Sequence, residues 1–192
     1  TSCGASWDLL STQKGSKQIS NNIVPFNQFS LSGWKHSLGI LILDKSEVAG
    51  FVADPSNFVG DESDGDNTID ANTHVVVTGS ITASLANDLD GTLGGGTVIQ
   101  KITANISTTA IADLAALTAN HANAYTITTA AGGATATQLT NINAATSELV
   151  DATAVTDITG TAAAIAAVMA AEGDSGNKIN LDTDWTATVD AG

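Results

Sequence analysis

The chain contains 192 residues, of which 43% are hydrophobic, and it carries 20 acidic residues against 6 lysines, for a net charge of −14. This length suits one ordinary domain. Nucleic acids and anionic membrane surfaces are bound through clustered lysines and arginines, so the composition excludes both as main partners. Cys3 is the single cysteine, which excludes an internal disulfide framework and a thiolate metal site.

The chemistry of the chain changes near residue 60. Residues 1–60 hold six of the eight aromatic residues and are neutral, with four lysines against four acids. Residues 61–192 carry the whole negative charge. We therefore predict an aromatic-rich, neutral anchoring or assembly part at 1–60, an acidic linker at 61–73 and an acidic Ala/Thr-rich repeat array at 74–192.

The N-terminal part is predicted to be small and β-rich. Two short apolar runs, at 39–43 and 48–52, are bounded by turn or charged residues and are typical of buried strands. Its aromatic residues are interpreted as the anchors of an assembly interface, since buried aromatic side chains dominate such contacts. These interface candidates are Trp7, Phe26, Phe29, Trp34, Phe51 and Phe58.

The linker contains the best metal candidates in the sequence. Asp61, Asp64, Asp66 and Asp70 offer hard oxygen ligands of the kind that calcium prefers. Their spacing does not match an EF-hand loop, and a solvated linker is the interpretation we favour. Calcium therefore stays open, and no other cofactor is expected.

A strand followed by an alanine-rich helix recurs from residue 75 onward. Strands are predicted at 75–78, 97–106, 124–129 and 149–158, with a fifth between 179 and 189; helices are predicted at 81–89, 110–117, 136–145 and 162–171. Leu89, Leu114, Leu139 and Ile165 occupy matching places, 25 or 26 residues apart. Such self-similarity predicts an α/β architecture, a β/α solenoid of about 25-residue repeats with parallel strands.

Local signals mark the helix boundaries. Ser80, Thr109, Thr135 and Thr161 are predicted to be N-caps. Gly132 and Gly133 are interpreted as a lengthened turn between strand and helix. The last predicted strand is followed by no polar cap, so we expect further chain or a partner to cover that edge.

No residues are predicted to be catalytic. The three histidines, His36, His74 and His121, lie in unrelated local contexts and outside any nucleophile or zinc motif. The acidic cluster Asp182, Asp184 and Asp190 is a weaker metal candidate than the linker.

Residues 102–171 resemble the Ala/Thr-rich repeats of very large bacterial surface proteins, particularly cyanobacterial ones, and of virion structural proteins of their phages. The resemblance lies in IADLAAL at 111–117, NAYTIT at 123–128, QLTNINAA at 138–145 and ITGTAAAI at 158–165. It implies an extended, non-enzymatic protein present in many copies.

Three functional hypotheses follow. The first is a phage virion component (a fibre, knob, or capsid or tail decoration) on the virion surface, whose partners are further copies of itself and other structural proteins of the assembly. The second is a secreted surface-layer or adhesin fragment, calcium-stabilised, on the bacterial cell surface or outside the cell. The third and weakest is a polysaccharide-active solenoid enzyme, because the array offers only Lys101 and Lys178 as basic residues.

Overall fold

The computed structural model describes residues 40–55, 73–94, 102–119 and 123–190. In chain order these residues form β1 (Ile40–Asp44), α1 (Lys45–Ala53), β2 (His74–Ile81), α2 (Ala83–Leu93), β3 (Ile102–Ile106), α3 (Ile111–Leu114), β4 (Ala124–Thr128), β5 (Gly132–Thr135), α4 (Ala136–Ala144), β6 (Val150–Ala152), β7 (Val155–Gly160), α5 (Ala162–Ala171), β8 (Ile179–Leu181) and β9 (Thr186–Val189).

The strands form two parallel sheets. The main sheet has the order β1-β2-β3-β4-β6-β8, and the second sheet has the order β5-β7-β9. Every strand pair is parallel, and the strands of each sheet follow one another in chain order. The predicted α/β class with parallel strands is confirmed.

The recurring apolar positions of the sequence form the core. Leu89, Leu114, Leu139 and Ile165 are all buried and belong to one continuous hydrophobic cluster. Side chains three or four residues apart share one helix face, so Leu117, Ile142 and Val168 accompany them into the core. The period of the apolar residues therefore located the helix faces that pack on the sheets.

The second apolar run of the N-terminal part is a helix, and the prediction of a strand there is wrong. Asp44 begins α1 as its N-cap: its side chain accepts a hydrogen bond from the Ser46 amide at 2.9 Å, while Glu47 accepts one from the Asp44 amide at 2.8 Å. Because the Glu47 amide also donates to the Asp44 side chain, Asp44 and Glu47 form a capping box. The hydrogen bonds from the side chain and then the backbone of Ser46 lower the pKa of Asp44. Short apolar runs do not distinguish strand from helix by themselves.

The later predicted strands are each divided between the two sheets. The segment predicted at 149–158 forms β6 and β7, and the one at 179–189 contains β8 and β9. Between β6 and β7 the chain turns at Thr153, whose amide and hydroxyl both donate to Asp151. The prediction of a turn at Gly132 and Gly133 is wrong, because these two residues begin β5.

Of the four N-cap predictions, those at Thr135 and Thr161 are confirmed, and those at Ser80 and Thr109 are wrong. Thr135 and Thr161 cap α4 and α5 by accepting hydrogen bonds from the third helical residue. Thr82 rather than Ser80 caps α2, because β2 continues to Ile81. Ala110 precedes α3 without a side-chain cap, and α3 is correspondingly shorter than predicted.

Candidate functional site

Most of the predicted site residues lie outside the described residues. These are the calcium candidates Asp61, Asp64, Asp66 and Asp70 and the aromatic residues Trp7, Phe26, Phe29, Trp34 and Phe58. The predicted linker likewise lies outside them, except for Thr73, which is buried before β2. Phe51 is fully buried on α1 and packs in the core of its own chain.

The structure places one of the three histidines. His74 begins β2, and its Nε2 lies 2.9 Å from Thr103 Oγ1 on β3. Partial burial lowers the pKa of His74. His36, His121 and Cys3 lie outside the described ranges, and within those ranges no three His, Cys, Asp or Glu residues are grouped so that they could hold a metal ion.

A buried polar cluster lies beside the starts of β3, β4 and β6. We use the name polar cluster for a set of five residues: Asp90, Thr118, Asn123, Tyr125 and Thr146. The Asp90 carboxylate accepts hydrogen bonds from Thr118 Oγ1 at 3.0 Å and Asn123 Nδ2 at 3.3 Å. Buried polar groups of this kind are stabilising only when they are hydrogen-bonded.

Two members of the polar cluster bind the backbone of a neighbouring strand. Asn123 Oδ1 accepts a hydrogen bond from the amide of Ile102, the first residue of β3, at 3.1 Å. Thr146 Oγ1 accepts from the Tyr125 amide at 2.9 Å and donates to the Tyr125 carbonyl at 2.8 Å. Both contacts join residues 21 apart in sequence. They therefore extend the pairing between successive strand–helix units beyond the strands themselves.

The phenol of Tyr125 lies in the interior of the fold. Its side chain is fully buried, and its hydroxyl has no hydrogen-bond partner among the described residues. Burial, and secondarily the nearby Asp90, raises the pKa of Tyr125 far above its ordinary value of 10.0. The phenol therefore stays protonated and contributes to packing rather than to proton transfer at neutral pH.

A groove of about 530 Å³ lies beside α2 and α3. Two of its polar side chains, Thr108 and Asn87, make contacts between the two units. Thr108 Oγ1 accepts from the Ala83 amide at 3.0 Å, while Asn87 Nδ2 donates to the Ala116 carbonyl at 2.9 Å and Asn87 Oδ1 accepts from the Thr118 amide. These bonds hold α2 against the segment around α3.

Sequence reasoning missed the residues that join the units. Asn123 lies immediately before β4, and Thr146 lies between α4 and β6. The available signal for Asn123 was a polar residue immediately before a strand, seen again in Thr73 before β2. That signal is weak, because the hydrogen-bond partners lie more than twenty residues away.

We use the name open end for the last two described strands, β8 (Ile179–Leu181) and β9 (Thr186–Val189). β8 and β9 are the last strands of their sheets. Three large hydrophobic side chains are exposed in the described ranges: Ile40 on β1, Met169 on α5 and Val189 on β9.

No family model, curated protein or solved structure matches this chain at a significant level. None of the helices in the described ranges is both long and apolar enough to cross a lipid bilayer.

Proposed function

We propose that the chain is a non-enzymatic structural protein, a component of a phage virion that docks through residues 1–60 and projects an acidic β/α solenoid from the particle surface. The observation that carries this proposal is the agreement between strand order and chain order in two entirely parallel sheets. In such a stack each unit contacts mainly its neighbours, so the molecule extends by repetition. An extended, modular body suits a fibre or a surface decoration.

The contacts between units support the same proposal. Ile127 of β4 pairs with Val150 of β6, and Val150 pairs in turn with Ile179 of β8. The second sheet repeats this alignment, with Ile158 of β7 between Ala134 of β5 and Ala187 of β9. The side chains of the polar cluster and the groove lock adjacent units together. In the described ranges, these polar side chains thus stabilise the contacts between adjacent strand–helix units.

The negative charge of residues 61–192 is consistent with a role that involves no binding of nucleic acids. The linker and the array together, residues 61–192, carry two lysines against sixteen acids. A strong single-signed charge keeps projecting copies soluble and apart. Contacts with other assembly proteins would then fall to residues 1–60, which are neutral and rich in aromatic side chains.

The experiment is the native mass of the purified full chain, measured in calcium and again after chelation. We expect an oligomer of the same mass in both conditions, because the proposed contacts are apolar and need no ion. A variant with Asp61, Asp64, Asp66 and Asp70 changed to Asn is the control, and it should keep that mass.

The opposite outcome would favour the secreted bacterial surface protein. A wild-type chain that is monomeric after chelation and assembles only in calcium, with the response lost in the Asp→Asn variant, would assign calcium to the linker. It would favour a location on a bacterial surface over a location on a phage particle.

A further inference from the structure

We propose that one internal water molecule binds in the polar cluster and links the hydroxyl of Tyr125 to the carboxylate of Asp90. Water fits this site because it can accept a hydrogen bond from one group while it donates to the other. The link would join α2 to β4 across the strand–helix unit that lies between them in the chain. The site lies within a single chain, so it is independent of the proposed role in a virion.

The hydroxyl of Tyr125 is buried without a partner. The side chain is 0% exposed, and its hydroxyl oxygen has no hydrogen-bond partner among the described residues. Native proteins rarely leave a buried polar group unpaired, because its lost hydration is then not replaced. Buried groups that lack a partner within the protein commonly bind an ordered internal water.

The side chain of Tyr125 extends towards the region of Asp90. Residues two apart in a strand point to the same side of the sheet, so Tyr125 follows Asn123, which directly precedes β4. Both side chains are 0% exposed, and Asn123 Nδ2 donates a hydrogen bond to the Asp90 carboxylate. Burial, and then the negative charge of Asp90, raises the pKa of Tyr125. The phenol and the carboxylate therefore share one small region of the core.

The chemistry of the two groups favours a bridging water. A protonated phenol offers one O–H donor, whereas an ionised carboxylate only accepts hydrogen bonds, at about four lone-pair sites. Asp90 accepts from Thr118 Oγ1 at 3.0 Å and from Asn123 Nδ2 at 3.3 Å. The second bond is longer than the usual N–H···O range of about 2.7–3.2 Å. The surrounding donors thus do not close tightly around the carboxylate.

A metal ion suits these groups less well than water. Calcium and magnesium are bound by oxygen lone pairs. Thr118 and Asn123 instead direct hydrogen atoms at Asp90, and the protonated phenol brings a further hydrogen atom to the same region. A neutral molecule that both donates and accepts is the better match.

The test combines a crystal structure that resolves ordered water with the variant Tyr125→Phe, which removes the hydroxyl and keeps the ring. In the wild type we expect a water within about 2.6–3.2 Å of both the Tyr125 hydroxyl oxygen and one Asp90 oxygen. In the variant this water should be lost or displaced, because one of its two partners is gone.

Urea denaturation measures what the link contributes. Tyr125→Phe should lower the folding equilibrium constant about tenfold, because a buried hydrogen bond is lost. Thr126→Val is the control, since Thr126 is exposed on the same strand, and it should change that constant by less than about threefold. Both results should be the same in sodium, potassium and tetramethylammonium chloride at equal concentration.

Four results would overturn the inference. The first is a Tyr125 hydroxyl that bonds directly to another protein group. The second is a Tyr125→Phe variant as stable as the wild type or more stable, which would show that the hydroxyl is unpaired. The third is a water that stays in place in the variant, held by Asp90 alone. The fourth is a stability that depends on which cation is present, which would assign an ion to the site.

The wild-type crystal structure decides the question even if Tyr125→Phe does not fold. The outcome is also separate from that of the proposed function. The native mass of the chain in calcium and after chelation tests assembly, whereas the water lies within one molecule and leaves that mass unchanged.

Discussion

Individual residues show how polar side chains hold this protein together. Thr146 and Asn123 occupy the interior, and the side-chain oxygen of each binds a backbone group of the neighbouring unit. Backbone amides just before or at the start of a strand would otherwise be left without a partner inside the core, which costs free energy. Buried hydroxyl and amide groups therefore extend the strand pairing where the strands themselves end.

The Thr146 hydroxyl can be tested with an isosteric change. Thr146→Val should lower the free energy of unfolding by about 1–3 kcal/mol, because the buried Tyr125 amide loses its acceptor. Urea denaturation measures the difference. Thr137→Val is the matched control, since Thr137 is exposed on α4, and it should change stability by less than about 0.5 kcal/mol. Equal effects at the two positions would show that the hydroxyl contributes nothing specific.

At the scale of elements, the adjacent glycines Gly132 and Gly133 decide where the second sheet begins. Gly132 has a φ of 125°, a conformation that residues with a Cβ seldom adopt. A Cβ at Gly132 would meet nothing within 4 Å, so the constraint there comes from the backbone alone. Gly133 has an ordinary φ and only van der Waals neighbours, the closest at 3.8 Å.

This contrast predicts different effects for two neighbouring substitutions. Gly132→Ala should lower the free energy of unfolding by about 1–2 kcal/mol through backbone strain. Gly133→Ala should be neutral or stabilising by a few tenths of a kcal/mol, roughly as expected for alanine in a permissive conformation. Thermal or urea unfolding of both variants checks the order. If Gly133→Ala were the more harmful, strand packing rather than backbone conformation would dominate here.

At the scale of the whole molecule, stability should vary from strand to strand across the two parallel sheets. β4 and β6 lie within the main sheet with a neighbour on each side, whereas β9 ends the second sheet and all four of its residues are exposed. Local opening requires less free energy where fewer apolar contacts are lost. The centre of the main sheet is thus expected to be more stable than the open end.

Native-state hydrogen exchange measures this gradient. At low protein concentration the amides of β9 should exchange at least about ten times faster than those of β4 and β6. Uniform protection of β4 and β9 in the dilute, monomeric chain would show that the open end is already covered within one molecule.

Local patterns in the sequence predicted the α/β class, the helices α4 and α5, the N-caps Thr135 and Thr161, and the buried positions from Leu89 to Ile165. These features depend on residues three or four apart or on a single turn of chain, so short-range periodicity and hydrogen bonding were sufficient. The same reasoning assigned a strand to residues 48–52, because a five-residue apolar run suits either structure.

The tertiary structure decided the remaining features. Only the folded chain shows that the later strands divide between two sheets, that Asn123 and Thr146 bind backbone groups 21 residues away, and that all four residues of β9 are exposed. Each of these depends on which distant segments become neighbours. That choice is made by the summed burial of apolar side chains over the whole stack, and no local window of the sequence contains it.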